Sequence, residues 1–378
     1  MRQKITAALS ISIVFLLCFS NYSIANEIFF NKNNKKFYIY YNYEKMTLLL
    51  QDLVSSYPDI MSLQSIGKTY EGRELWLVKL SDNVILDEDE PGVLLLGAHH
   101  GNEKPSYEVI IYFIKYIIEN YYKGNVDDDK DGLLNEDDFD GFDNDGDGLI
   151  DEDPSEDRMR EVINNTQIFL IPMVNPDGVE FDEAGSRKNR VPNHGPLGFK
   201  KEVTSYGVNL NRNYGYDWFY YYLFPLNYNL FFNMYDKSPN YRGPYPFSEN
   251  ETKAIKKFVE THKINFSISY HTFGELIFFP WYHTSMHTPD KDLFISIGEN
   301  ISKINKYRLL VGNDYKIPRF VGTLGTVENW LYGKFRIIAF TIELCETRAP
   351  TNPSIVLDTC YNNIGVILYI CEKALSLK

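Results

Sequence analysis

Apolar and polar positions alternate with two different periods along this chain. Helical spacing predicts an amphipathic helix over 43–57, a mostly buried helix over 106–122, and helices over 248–262, 289–306 and 353–375. Continuous or two-residue apolar runs predict strands over 74–80, 92–98, 167–173, 265–270, 275–280 and 336–343. Strands and helices that interleave in this way predict one α/β domain around a largely buried sheet. No stretch has the composition of a linker. Two segments stand out as insertions: an acidic one at 125–157 and an aromatic-rich one at 214–240, expected to be a surface lobe.

The N-terminus changes the picture first. Arg2 and Lys4 precede an apolar run from Ile5 to Phe19, and small residues follow at Ser23 and Ala25, the order of a secretory signal peptide over 1–25. The mature chain is then expected to be 26–378, secreted or periplasmic. No later stretch reads as long and apolar enough to cross a bilayer, so no membrane association is expected once the signal is removed. The mature chain keeps Cys345, Cys360 and Cys371. Cysteine this sparse leaves the fold to a packed core, with either one disulfide, Cys345 to Cys360, or free buried thiols.

The net charge of −13 is local in origin. Residues 125–157 hold 16 Asp or Glu against one Lys, so the rest of the chain is near +2. A remainder this neutral excludes a nucleic-acid-binding face. The acidic window has a pattern: Asp127, Asp129, Asp131, Gly132 and Asp138 stand at positions 1, 3, 5, 6 and 12 of a calcium-loop spacing. A second copy begins at Asp143 and continues through Asp145, Asp147, Gly148 and Asp151. Alternate carboxylates on a tight loop converge on one hard cation, so one or two structural calcium ions are expected here. Asp138 and Pro154 at the twelfth positions resemble dockerin or thrombospondin type 3 loops more than a true EF-hand pair.

The strand 92–98 ends in His99, His100, Gly101, Asn102 and Glu103. A His and a Glu three apart on a loop leaving a strand can face one ion, and a catalytic zinc takes three protein ligands with one position open. His271 suits the third place because it ends the strand 265–270, and sites in open α/β sheets gather at the carboxyl ends of strands. His99 is expected to face away and pack.

With these residues stand Ser65-Ile66-Gly67-Lys68-Thr69-Tyr70-Glu71-Gly72-Arg73, Asn175-Pro176-Asp177-Gly178, Gly207-Val208-Asn209-Leu210-Asn211-Arg212-Asn213, Tyr241-Arg242-Gly243-Pro244 and Phe340-Thr341-Ile342-Glu343-Leu344. In this order the chain resembles the zinc metallocarboxypeptidases of the A, B and T type, from about Tyr38 to Leu375, with no long activation segment ahead of it. The resemblance implies a single α/β domain with a mixed, mostly parallel central sheet flanked by helices. It implies one catalytic zinc on His100, Glu103 and His271, with Glu343 as general base on the water. Arg187 is implied to polarise the scissile carbonyl, and Asn211 with Arg212 to grip the terminal carboxylate. The implied partners are peptide or protein C-termini, or cell-wall peptides, acted on by a monomer.

Two positions depart from the family pattern. Val321 stands where a mobile Tyr is usual, with Tyr315 the nearest substitute, which puts capping of the terminal carboxylate in question. Glu328, two before Trp330, falls where members that prefer basic terminal residues carry an acid, so it joins the expected substrate-binding set. A peptidoglycan peptidase acting at diaminopimelate, and a calcium-dependent binding protein on a dead peptidase, are the competing readings.

Overall fold

In the computed structural model, the described residues are 40–123, 134, 141–144, 155–181, 185–190, 207–219, 238–284, 286–311 and 323–377. From Asn42 onward they form one compact unit. Helix α1 (Tyr43–Ser56) opens where the Asn42 side chain accepts from the Lys45 N–H, and it buries Met46, Leu49, Leu50 and Leu53 on one face. Strands β1 (Met61–Lys68), β2 (Glu74–Leu80) and β3 (Gly92–Leu96) follow, then α2 (Pro105–Tyr121), α3 (Glu156–Asn165), β4 (Gln167–Ile171) and a single turn, α4 (Pro176–Val179). The second half runs α5 (Asn250–Val259), β5 (Phe266–Thr272), β6 (Leu276–Phe278), α6 (Lys291–Asn305), β7 (Arg308–Leu309), α7 (Val327–Phe335), β8 (Ile338–Leu344), α8 (Pro353–Tyr361) and α9 (Ile364–Ser376).

The eight strands form one mixed sheet in the order β1-β2-β4-β3-β5-β8-β6-β7. Its centre, β4-β3-β5-β8, is parallel, and antiparallel joins occur at β1-β2, β2-β4 and β8-β6. Every residue of β3, β4 and β5 is buried, as a sheet covered on both faces requires. Leu77, Leu94, Phe169 and Ala339 on one face pack with Ile255 and Phe258 of α5 and with Trp330 and Leu331 of α7. Helices α2 and α9 contact the central strands β3 and β5, and α6 contacts β6 and β7.

The expected α/β architecture is therefore present, and several local expectations are corrected. The helix expected over 353–375 is two helices, α8 and α9, separated at Asn362 and Asn363. Asn363 is fully buried and donates to the Thr359 carbonyl at 2.8 Å, a polar break that apolar periodicity does not register. The 353–376 stretch does reach membrane-spanning length, and its most apolar 18-residue window has mean hydropathy 1.3, but 61% of that window is buried within the protein, as in a core helix. Cys345, Cys360 and Cys371 are all free and buried, with no disulfide. Tyr214, expected to open a surface lobe, is fully buried, while residues 220–237 lie outside the described set. Of the calcium-loop residues, Asp143 is described and is exposed; Asp127, Asp129, Asp131, Asp138, Asp145, Asp147 and Asp151 lie outside the described residues, as do Tyr315 and Val321.

Candidate active site

The site sits where the central parallel strands end. Beyond β3 the chain turns through Ala98 at φ 49°, which swings His99 and His100 across the sheet edge. Ser106 holds this turn, its hydroxyl accepting from the Ala98 N–H at 3.0 Å and donating to the Glu103 carbonyl. The Glu103 N–H bonds the His100 carbonyl at 3.1 Å, so the two side chains leave one tight loop on the same side. His271 is the sixth residue of β5 and pairs in register with Glu343 of β8.

The three expected metal ligands converge. His100 Nδ1 lies 2.9 Å from Glu103 Oε1, and His271 Nδ1 lies 2.8 Å from Glu103 Oε2. One ligand atom from each falls within 4.8 Å of the others, and all three residues are buried. The outer nitrogens are held separately: His100 Nε2 faces Asn209 Oδ1 at 3.1 Å, and His271 Nε2 faces Ser269 Oγ and Asn211 Nδ2, each at 3.2 Å. Partners on Nε2 fix the ring orientations and leave both Nδ1 atoms turned toward the carboxylate, the outer-shell arrangement that metal-binding imidazoles show. Two imidazoles and one carboxylate fit a zinc ion with an open position.

The electrostatics agree with a site built around a cation. Burial, reinforced by Arg187, pulls the His100 imidazole down to about 3, so it is neutral and free to ligate. Burial acts against the charged form of His271, but its bond to Glu103 outweighs this and raises it above the ordinary histidine value. Burial and then the Glu103 charge push the Glu343 carboxyl up to about 7. Its Oε2 is buried without a hydrogen-bond partner. An orphaned buried oxygen costs roughly 1–3 kcal/mol, a cost tolerated where the atom awaits something.

One cavity of about 480 Å³ is lined by all of these groups together with Arg187, Asn211 and Arg212. Arg187 comes from the loop 185–190, which Asn189 pins by exchanging bonds with Val208, and its Nη1 donates to Glu103 Oε1 at 3.4 Å. Arg212 ends a short 3-10 turn, Leu210–Arg212; burial and Arg187 pull its guanidinium down to about 10, still cationic at neutral pH. Asn211 is also structural, its Oδ1 accepting from the Val327 N–H at 2.9 Å at the start of α7.

The zinc carboxypeptidase profile matches residues 46–360. The chain belongs to the zinc carboxypeptidase family. Among its relatives, a zinc carboxypeptidase from Saccharothrix mutabilis subsp. capreolus is 29% identical over 350 residues, covering 88% of this chain and 69% of that one. Carboxypeptidase B from Astacus astacus is 23% identical, covering 82% and 87%. The fold matches carboxypeptidase A from Helicoverpa armigera, with TM-score 0.69, 18% identity and coverage of 93% and 78%. It also matches bovine thrombin-activatable fibrinolysis inhibitor in complex with tick carboxypeptidase inhibitor, with TM-score 0.67, 18% identity and coverage of 91% and 100%. The protein is thus a zinc metallopeptidase, and the family supports a metallocarboxypeptidase.

One site residue sits differently from expectation. Glu328 is only 1% exposed and is not part of the cavity wall, although its charge acts on Arg212, and neither of its oxygens has a hydrogen-bond partner. His99 packs as expected, with its ring 5.7 Å from that of His271 and Nε2 2.9 Å from the Tyr214 hydroxyl. Sequence reasoning passed over Thr326, Tyr282 and Arg348 on the cavity wall. Only Thr326 carried a usable signal, as the N-cap of α7 accepting from the Asn329 N–H.

Proposed function

We propose that this zinc carboxypeptidase removes single residues from the C-termini of peptides. The observation that carries the reading is that Glu343, Arg187 and the Asn211–Arg212 pair all face one cavity with the three-ligand cluster. Zinc, held by His100, Glu103 and His271, would supply a Lewis acid that activates water and polarises the scissile carbonyl. Arg212 and Asn211 bind the terminal carboxylate, which sets the last peptide bond over the cluster. Glu343 takes a proton from the attacking water and passes it to the leaving amine; a carboxyl near 7 is poised for both transfers. Arg187 donates to the carbonyl oxygen as it gains charge.

A preference for Lys or Arg at the cleaved end is the finer part of the proposal. Its support is Glu328, a buried carboxylate with no donor on either oxygen, which a basic side chain reaching past the cavity wall would partner. Export of the enzyme is supported by the signal-like N-terminus, and a calcium-stabilised insertion by the two Asp-x-Asp-x-Asp-Gly repeats.

The test is incubation of purified protein with hippuryl-Arg, hippuryl-Phe and muropeptides, with and without a zinc chelator. Chelator-sensitive release of Arg ahead of Phe is expected. Cleavage of muropeptides alone would replace this reading with a cell-wall peptidase, and cleavage of none by a catalytically inert binding protein. Calcium removal by EGTA is expected to lower the melting temperature, and an unmoved curve would dispose of the calcium assignment.

A further inference from the structure

The carboxylate of Asp217 stands outside the chemistry yet joins three pieces of the cavity wall. Asp217 is 5% exposed and does not line the cavity. Its Oδ1 accepts from the Gly325 N–H at 2.7 Å, and its Oδ2 accepts from Asn329 Nδ2 at 2.6 Å. His283 Nδ1 lies 3.3 Å from the same Oδ2. Gly325 sits between Thr323 and Thr326, both wall residues, and its carbonyl accepts from the Tyr214 N–H at 3.0 Å. Asn329 in turn accepts from the Tyr282 N–H at 3.1 Å, and the Tyr282 hydroxyl donates to Thr341 Oγ1 at 2.9 Å. Tyr282, on the chain just beyond β6, and Thr341, on the neighbouring β8, are both wall residues. Asp217 itself is carried on the segment that bears Arg212.

We infer that Asp217 is a positioning residue for the pocket that receives the substrate's terminal side chain, fixing the 323–329 segment and Tyr282 relative to Arg212. The inference rests on the carboxypeptidase reading above. Its physical basis is that one buried acceptor satisfies two buried donors from different elements. Without it, the Gly325 N–H loses its buried acceptor and Asn329 Nδ2 keeps only His283 Nδ1 at 3.3 Å, and the walls move to relieve the loss. Chemistry at Glu343 stays in place, because its strand pairing does not pass through Asp217.

The donor and acceptor pattern allows a swap. In Asp217→Asn the new amide faces the Asn329 amide donor to donor. In Asp217→Asn combined with Asn329→Asp, the 217 amide donates to the 329 carboxylate, whose other oxygen still accepts from Tyr282. On the zinc-loaded full-length protein, the single variant is expected to raise KM for hippuryl-Arg and hippuryl-Phe about tenfold, unequally, with kcat within about twofold. The double variant is expected to return KM and the preference between the two substrates to within about threefold of wild type.

A purely structural role would lower the melting temperature without moving KM or preference in the folded fraction. An Asp217→Asn enzyme with wild-type KM and preference overturns the inference. So does a double variant that melts like wild type yet keeps the raised KM. Should the single variant fail to fold, the double variant decides alone by the same two measurements. Wild type that cleaves neither substrate overturns the carboxypeptidase reading itself, and this inference with it.

Discussion

His271 and Glu343 stand opposite each other as register partners on the adjacent parallel strands β5 and β8. Parallel neighbours in register point their side chains to the same face. The sheet's own hydrogen bonds therefore set the spacing between a candidate metal ligand and the carboxylate beside it, and no loop intervenes. A carboxylate built on a rigid strand keeps its geometry when a ligand arrives, which is what the proposed base role of Glu343 requires.

Glu343→Gln follows from this placement. The amide keeps the shape but has no proton-accepting carboxylate, so kcat is expected to fall by about 10²–10⁴. The ligand set is untouched, so zinc content measured by atomic absorption stays equal to wild type. Activity within tenfold of wild type would remove Glu343 from the proton-transfer role.

Zinc uptake by the metal-free protein is expected to depend on pH through His271 rather than His100. Glu103 raises His271 above its ordinary value, so in the metal-free protein it holds its proton to higher pH than a free imidazole, and the ion must displace that proton. His100, near 3, has none to lose in this range. Apparent affinity should therefore rise with pH through neutrality and level off once His271 is neutral. Competition titrations against a chelator from about pH 6 to 9 check this, and a flat profile contradicts it.

The three side chains that converge could be picked out from the sequence because His100 and Glu103 share one loop and His271 ends a strand pattern. The parallel core was legible because β3 and β4 are apolar almost without a break. What stayed hidden depends on tertiary packing. The break at Asn362–Asn363 rests on a buried side-chain bond, and β7 is two residues long, with too little sequence to show a period. Glu328 could be placed beside the site by its spacing from Trp330, but whether it reaches the cavity surface is decided by how α7 packs, which periodicity does not encode.

Glu251 gives a pH dependence of stability with a definite sign. It is 1% exposed, and burial with the neighbouring Glu249 pushes its carboxyl up to about 8, above the ordinary 4.5. The folded protein therefore holds this proton more tightly than the unfolded chain. Its contribution is complete below about 4.5 and is lost as pH rises toward and past 8. Glu251→Gln removes the ionisation, so the drop in melting temperature between about pH 6 and 9 should shrink. The stabilisation recovered at the alkaline end is on the order of a few kcal/mol. An unchanged drop would show that Glu251 ionises as readily folded as unfolded.

Gly325→Ala separates a steric effect from a backbone one. Gly325 has φ 69°, and a Cβ there would lie 2.1 Å from the Arg212 carbonyl oxygen and 2.5 Å from its carbonyl carbon. Backbone cannot yield as a flexible side chain does, so the segment carrying Arg212 must shift by about an ångström, a displacement that can cost about 10²-fold in a positioned site. Gly72 supplies the control: its φ is 87°, but a Cβ there meets nothing within 4 Å. Both substitutions carry the left-handed penalty of about 1–2 kcal/mol, and both should lower the melting temperature. Only Gly325→Ala should also raise KM for hippuryl-Arg and hippuryl-Phe by tenfold or more, because only it displaces the guanidinium proposed to hold the terminal carboxylate. Equal KM values for the two variants would mean that the Arg212 segment absorbs the clash without moving its side chain.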